Sequence, residues 1–276
     1  MSKDTRGNEI TKHQISTTIM STCCEILEII SECERVEKKF TNFEEGILFE
    51  YNEKKRKHEG DSFVPVKNDH FSSQFQLLKK LEFIDKNMLT KQGKQIAHHC
   101  ANGEYDSFVS FNFFKNLYKH SMIFRKVVEE IRSNAFELNE IIQDFSKKEG
   151  LNKTASGRLK SWINWLNFTT TSRNKIMFDP IFEDQALQLL DMDEFGQFIE
   201  SIISISDSIK ENNLYSEIDA GFSYGTLSIE RIRTLIKKLI VGKYLILSRG
   251  KFETNYISIN TPLIFEKISL KKYLLS

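Results

Sequence analysis

Between residues 134 and 179 the spacing of the apolar residues changes twice, and this constrains the fold more than any other feature of the chain. Phe136, Leu138, Ile141, Ile142 and Phe145 recur at helical spacing, with Ser133 or Asn134 as the candidate N-cap. Gly150 ends that helix, and Leu151-Asn152-Lys153 makes a short turn. A second helix runs from Thr154 to Asn167, with Ala155, Leu159, Trp162, Ile163 and Leu166 on its apolar face. Lys153, Ser156, Arg158, Lys160, Ser161 and Asn164 lie elsewhere on it. Phe168-Thr169 then enters a polar tip from Thr170 to Asn174, and Ile176-Met177-Phe178 reads as a returning strand. The order is helix, tight turn, helix, hairpin. Trp162 is expected in the core and Trp165 under the hairpin.

The rest of the composition fits a helical chain. Only 3 Pro and 12 Gly in 276 residues exclude a loop-rich, disordered or all-β fold. One to three compact units fit this length. The apolar stretches are too short to span a bilayer, and the polar start Met1–Glu9 lacks the apolar core of a signal peptide. Cys23, Cys24, Cys33 and Cys100 form no CxxC pair and no Cys/His ladder. His98 and His99 beside Cys100 read as exposed imidazoles at a helix end. A cytoplasmic protein with reduced thiols is expected, with no metal and no membrane partner.

The net charge of +1 hides a strong pattern. Residues 1–53 carry six basic and eleven acidic side chains, and residues 54–94 carry ten basic and five acidic. Residues 95–146 are slightly acidic. Residues 147–175 carry seven basic and one acidic, residues 176–230 one basic and twelve acidic, and residues 231–276 ten basic and two acidic. Three basic blocks alternate with acidic ones.

Each basic block coincides with the same local pattern. In 227–259, Ile229, Ile232, Leu235, Ile236 and Leu239 form one stripe, with Glu230, Arg231, Arg233, Thr234, Lys237 and Lys238 elsewhere on the helix. Gly242 stops that helix. Tyr244–Leu247 and Tyr256–Ile259 read as strands around the basic turn Arg249-Gly250-Lys251. Residues Phe195–Leu214 supply an apolar helix, and Leu214–Thr226 reads as irregular. In 42–100, Phe71, Phe75, Leu78 and Leu81 form a stripe that leads to Phe83-Ile84, a turn at Asp85–Asn87, and Leu89-Thr90-Lys91-Gln92-Gly93 opening a last helix. Lys54–Lys57 precedes it as a basic loop or helix end. The remaining segments read as scaffold. A helix over 14–39 carries Ile15, Ile19, Cys23, Ile26, Leu27 and Ile30, and a Phe-rich helix over 108–132 forms core or a brace. The acidic stretch 179–219 faces solvent or a partner.

These segments resemble tandem winged-helix DNA-binding proteins, best in 134–179 and less closely in 62–100 and 227–260. The phrase Leu77–Ile84, polar turn, Leu89-Thr90-x-x-Gly93 is similar to the end of many bacterial winged-helix domains. The resemblance implies a mainly α fold with small β-hairpin wings, in three modules: 1–105, 106–180 and 181–276. It also implies a non-catalytic protein whose partner is double-stranded DNA. The implied contacts are Lys153, Thr154, Ser156, Arg158, Lys160, Asn164, Arg173 and Lys175 in the central module. In the C-terminal module they are Arg231, Arg233, Thr234, Lys237, Lys238, Arg249 and Lys251. Arg158 is the candidate for a bidentate guanine contact. Strung together, such modules are similar to the recognition region of type IIS restriction enzymes. That implies a recognition or regulatory component of a bacterial restriction or anti-phage system, with a nuclease, an ATPase or another protein subunit as a further partner.

Catalytic patterns are missing from the sequence. GxxxxGK[ST], GxSxG and HExxH are absent. Asp179, Glu183 and Asp184, and likewise Asp191, Asp193 and Glu194, cluster without the carboxylate-x-Lys arrangement of a nuclease core, so they read as solvated surface. Neither an enzyme nor a cofactor is expected. Two other classes share this sequence pattern: a transcription regulator, and a structural winged-helix subunit that binds protein, as in accessory subunits of SMC complexes.

Overall fold

A computed structural model describes residues 9–101, 107–133, 135–250 and 254–260. The candidate cap Asn134, the candidate contact Lys251 and the start at residues 1–8 lie outside them. The chain is mainly helical with small antiparallel sheets of two or three strands. It divides into two compact units, Met1–Asp179 and Pro180–Ser276. No helix among the described residues is long and apolar enough to cross a membrane.

The first unit opens with α1 (Lys12–Thr17), α2 (Met20–Arg35), α3 (Phe43–Glu59) and α4 (Asn68–Lys80). The single helix expected over 14–39 is broken. Thr18 and Ile19 are extended, and the Thr17 and Thr18 hydroxyls donate back to the carbonyls of His13 and Gln14, ending α1. Ile19 is therefore a half-exposed cap residue rather than part of the buried stripe. The acidic face of α2 meets α3: Glu25 pairs with Lys55 at 2.8 Å, and Glu28 and Glu32 pair with Lys54 at 3.5 and 3.0 Å.

After α4 come β1 (Ile84–Asp85), β2 (Met88–Leu89) and α5 (Lys91–Ala101). Lys86 and Asn87 both take positive φ, the requirement of a two-residue hairpin turn. The Leu-Thr-x-x-Gly phrase has a local cause. The Thr90 hydroxyl accepts from the Gly93 N–H at 3.1 Å, capping α5. A Cβ on Gly93 would lie 2.1 Å from the Phe83 carbonyl oxygen, so only glycine lets α5 approach the hairpin. Ile96, Ala97 and Cys100 of α5 are buried, as are Cys23, Cys24 and Leu27 of α2, and these two helices pack together.

The unit continues with α6 (Ser107–His120), α7 (Met122–Ser133), α8 (Leu138–Glu149), α9 (Lys153–Leu166), β3 (Thr169–Ser172) and β4 (Lys175–Phe178). The Phe-rich segment is two helices, because buried Ser121 caps α7 through the Phe124 N–H. It is core: Phe114 packs edge-on against Phe124 at 5.4 Å and Phe168 at 4.9 Å. Phe136 does not belong to α8; it forms an antiparallel bridge with Ile176 of β4.

The second unit holds α10 (Pro180–Leu189), α11 (Met192–Ser204), β5 (Ile209–Lys210), α12 (Glu211–Ile218), α13 (Ile229–Val241), β6 (Leu245–Arg249) and β7 (Asn255–Ile259). Its sheet runs β5-β7-β6. The apolar helix expected over Phe195–Leu214 stops at Ser204, and β5 intervenes by pairing with β7. The stretch expected to be irregular is α12 continued by a π-helical turn, Asp219–Ser223. Gly242 ends α13 without a left-handed conformation. Lys243 adopts that instead, and a Cβ on Gly242 would press on the Tyr244 ring at 3.0 Å.

Two outcomes follow. Gly93→Ala forces backbone against a Cβ and lowers the stability of the first unit by about 1–3 kcal/mol in denaturant unfolding. The second concerns His120 at the end of α6, whose imidazole lies 3.2 Å from Glu82. Burial pushes its pKa below the usual value of 6.5; Lys119 and Arg125 add to this and Glu82 opposes it. The folded state therefore disfavours the proton. The stability present above about pH 6.5 is lost as pH falls through the lower folded value. Unfolding measured from pH 8 to pH 5 shows this slope, and His120→Asn flattens it.

Candidate nucleic-acid interface

The candidate interface starts from the α8–α9 turn. Gly150 takes φ +63° and lets the Leu151 N–H reach the Ser146 carbonyl at 2.9 Å. Asn152 then caps α9 by accepting from the Ala155 N–H at 2.8 Å. The two helices are pinned by a hydrogen bond of 2.7 Å between the Ser146 and Ser156 hydroxyls. Ser156 is thus turned toward α8 rather than outward.

Burial of Ala155, Leu159, Trp162, Ile163 and Leu166 fixes which face of α9 is left outside. Lys153, Thr154, Gly157, Ser161 and Asn164 are exposed, and Arg158 and Lys160 border them half-buried. Lys160 donates to the Asn139 side chain at 2.8 Å on the α8 side. Arg158 lies one turn before Trp162, toward the side that packs on α1. Trp162 is 1% exposed and its indole N–H donates to the Thr18 carbonyl at 3.3 Å. Trp165 packs edge-on against Phe113 of α6 at 5.3 Å.

The hairpin tip is narrower than the sequence implies. Thr170–Ser172 pair within the sheet, and only Arg173 and Asn174 turn the chain, both at positive φ. Arg173 and Lys175 are exposed. Between α9, the start of α8 and this hairpin lies an open groove of about 490 Å³, walled by Lys160, Asn164, Thr171 and Asn174. Among the described residues, Lys153, Arg158, Arg173 and Lys175 have no carboxylate partner.

The other basic blocks are arranged differently. Lys54 and Lys55 are paired with α2, Arg56 with Glu53 at 3.2 Å, and Lys94 with Glu34 at 3.4 Å. On α13, Arg231 is ion-paired with Asp184. Arg233 lies 3.8 Å from Glu230 and 5.5 Å over the Tyr215 ring. Thr234 donates back to the Glu230 carbonyl at 2.9 Å. Lys237 and Arg249 are exposed and Lys238 is half-buried.

Two of the acids that read as solvated surface, Glu183 and Asp184, have partners within the second unit, as does Glu211. Glu183 accepts from the Ser228 N–H at 2.7 Å. Glu211 accepts from Tyr215 and from Asn255, contacts that hold its carboxyl below the usual range. The first of these contacts has a partner effect: with burial, it pushes the Tyr215 hydroxyl up. His98 is exposed, but His99 stacks on Phe108 at 4.6 Å and Cys100 is buried. Burial drives the Cys23 thiol well above the usual range, and a hydrogen bond with Cys100, together with burial, does the same for Cys24. No group of three or more His, Cys, Asp or Glu side chains among the described residues is placed to hold a metal ion.

The chain matches no family model, no curated protein and no solved structure.

Gly157 marks the exposed face of α9. A Cβ there meets nothing within 4 Å, so no internal packing requires glycine. Gly157→Ala therefore raises stability by about 0.5–1 kcal/mol, read as a shift in the denaturant midpoint. A loss of stability would mean that the α9 face is covered in solution.

Proposed function

We propose that the chain is a non-catalytic double-stranded DNA-binding protein built on winged-helix modules, with α9 as its major-groove helix and the β3–β4 hairpin as a wing. One contrast carries this reading. Lys54, Lys55 and Arg56 of α3 and Arg231 in the first turn of α13 are ion-paired, whereas Lys153, Arg158, Arg173 and Lys175 are not. Cations left unpaired around a narrow polar helix face suit a polyanion that supplies the missing charges. The face itself is made of Thr154, Gly157, Ser161 and Asn164, which are small enough for the helix to approach base edges. Element order supports the same reading in both units. A short extended segment, two helices and a hairpin follow one another, and the first extended segment pairs with the last strand: Phe136 with Ile176, and Ile209 with Ile257.

Several linked modules suit the recognition or regulatory component of a restriction or anti-phage system, and the sequence resemblance alone supports that part. A second reading, a protein-binding module, is favoured by one observation in the second unit. Val241 is 77% exposed at the end of α13, and Ile246 and Leu247 are 45% and 43% exposed on β6.

The test is binding to random-sequence duplex DNA across a salt series. Wild-type affinity falls steeply with salt. Arg173→Ala and Lys175→Ala each reduce the log–log slope by about 0.9, the value for one phosphate. Arg158→Ala costs about 1–3 kcal/mol on a selected site containing its guanine and less on random sequence. No binding at low salt overturns the proposal and directs attention to the apolar surface of the second unit.

A further inference from the structure

Helix α3 turns one face to its neighbours and the opposite face to solvent. Ile47 and Tyr51 are buried, and Lys54 and Lys55 pair with the acids of α2. Phe49 stands two residues, or about 200°, from both Ile47 and Tyr51, so it lies on the far side. It is 61% exposed, the only exposed Phe, Tyr or Trp among the described residues. Glu45, one turn before it, and Arg56, two turns after it, fall within about 40° of Phe49 around the helix. Both are exposed. The loop of residues 63–66 runs beside the later turns. The Val66 N–H donates to the Asn52 side chain at 3.0 Å, and the Arg56 guanidinium lies 5.8 Å over the Phe63 ring. This loop adds Val64, which is 77% exposed.

The outer line of α3 therefore runs acid, aromatic, base. That order selects its own partner. Two such faces laid antiparallel about a two-fold axis put Glu45 opposite the partner's Arg56, and do so twice. The midpoint between positions 45 and 56 falls next to Phe49, so the two Phe49 rings meet at the axis and leave water together. Parallel packing sets Glu45 against Glu45 and Arg56 against Arg56 instead. Within one chain Glu45 and Arg56 cannot meet, because eleven residues of helix separate them by about 16 Å. Arg56 has a local contact with Glu53 at 3.2 Å. An exposed i,i+3 pair of this kind is too weak to hold it from a second carboxylate.

We infer that the outer face of α3 is a self-association surface: two copies of the chain meet through antiparallel α3 helices, with Phe49 at the centre and Glu45 against the partner's Arg56. The inference does not rest on the DNA-binding reading. One helix face and one short loop offer less than the roughly 800 Å² per partner of a standard interface, so the dimer is weak and reversible.

The test is sedimentation equilibrium of the full chain over roughly 1 μM to 1 mM, the range in which small interfaces dissociate. The wild type passes from monomer to dimer mass within it. Phe49→Ser stays monomeric throughout. Glu45→Arg and Arg56→Glu each set like charges face to face at two places, and each weakens the dimer by about tenfold or more. The two substitutions together restore the wild-type constant to within about threefold. Recovery marks a contact between copies, since the two positions do not touch within a chain. All three positions are exposed, so each variant is expected to melt close to the wild type. A wild-type chain that stays monomeric to the top of the range overturns the inference, and that result needs no variant. A dimer that Phe49→Ser leaves intact overturns it too. So do single charge variants without effect, or a double variant that fails to recover.

Discussion

The first unit depends on finding a hydrogen-bond acceptor for the buried indole of Trp162. A buried indole N–H needs an acceptor, and carbonyls inside a helix are already used by that helix. The break between α1 and α2 supplies one. Thr18 is extended and buried, and its carbonyl accepts from Trp162. The same break sends the preceding segment across the fold. The Ile10 N–H reaches the His120 carbonyl at 2.8 Å, and Lys80 reaches the Gln14 side chain at 3.0 Å. Lys12 donates to the Glu149 carbonyl near the α8–α9 turn. One interrupted helix thus links α4, α6 and α9, and it holds α9 by its inner face while the outer face stays free.

Charge follows a related logic. In sequence the basic and acidic blocks alternate; in the fold parts of them pair. Glu25, Glu28 and Glu32 of α2 pair with Lys54 and Lys55 of α3, and Asp184 of α10 pairs with Arg231 of α13. Exposed pairs of this kind contribute little stability, typically below about 1 kcal/mol. Their larger effect is to decide which cations remain available to a partner. Block 147–175 holds a single acid, Glu149, and that pairs with Lys126 of α7. The result is an unbalanced surface at α9 and the hairpin, which net charge alone could not have located.

What the sequence disclosed was local. Periodicity placed α4, α8, α9 and α13, because each buries one stripe against its neighbours. The Leu-Thr-x-x-Gly phrase placed the start of α5, because cap and close approach both depend on residues within ten positions. What stayed hidden was non-local. Phe136 reads as the start of the α8 stripe, yet it pairs with Ile176, forty residues later. Ile209 and Lys210 fall within the helix expected over Phe195–Leu214, yet they pair with β7. Spacing cannot distinguish a two-residue edge strand from the end of a helix, because both bury one side chain in two or three.

The candidate interface shows the same division. Exposure of Thr154, Arg173 and Lys175 could be anticipated from the apolar face opposite them. The diversion of Ser156 to Ser146, of Lys160 to Asn139 and of Arg231 to Asp184 could not, because each partner lies on another helix. These diversions turn three of the fifteen candidate positions toward partners inside the fold. A binding helix is defined less by the cations it carries than by which of them the rest of the fold leaves unpaired, and in α13 the neighbouring helix has already taken the first.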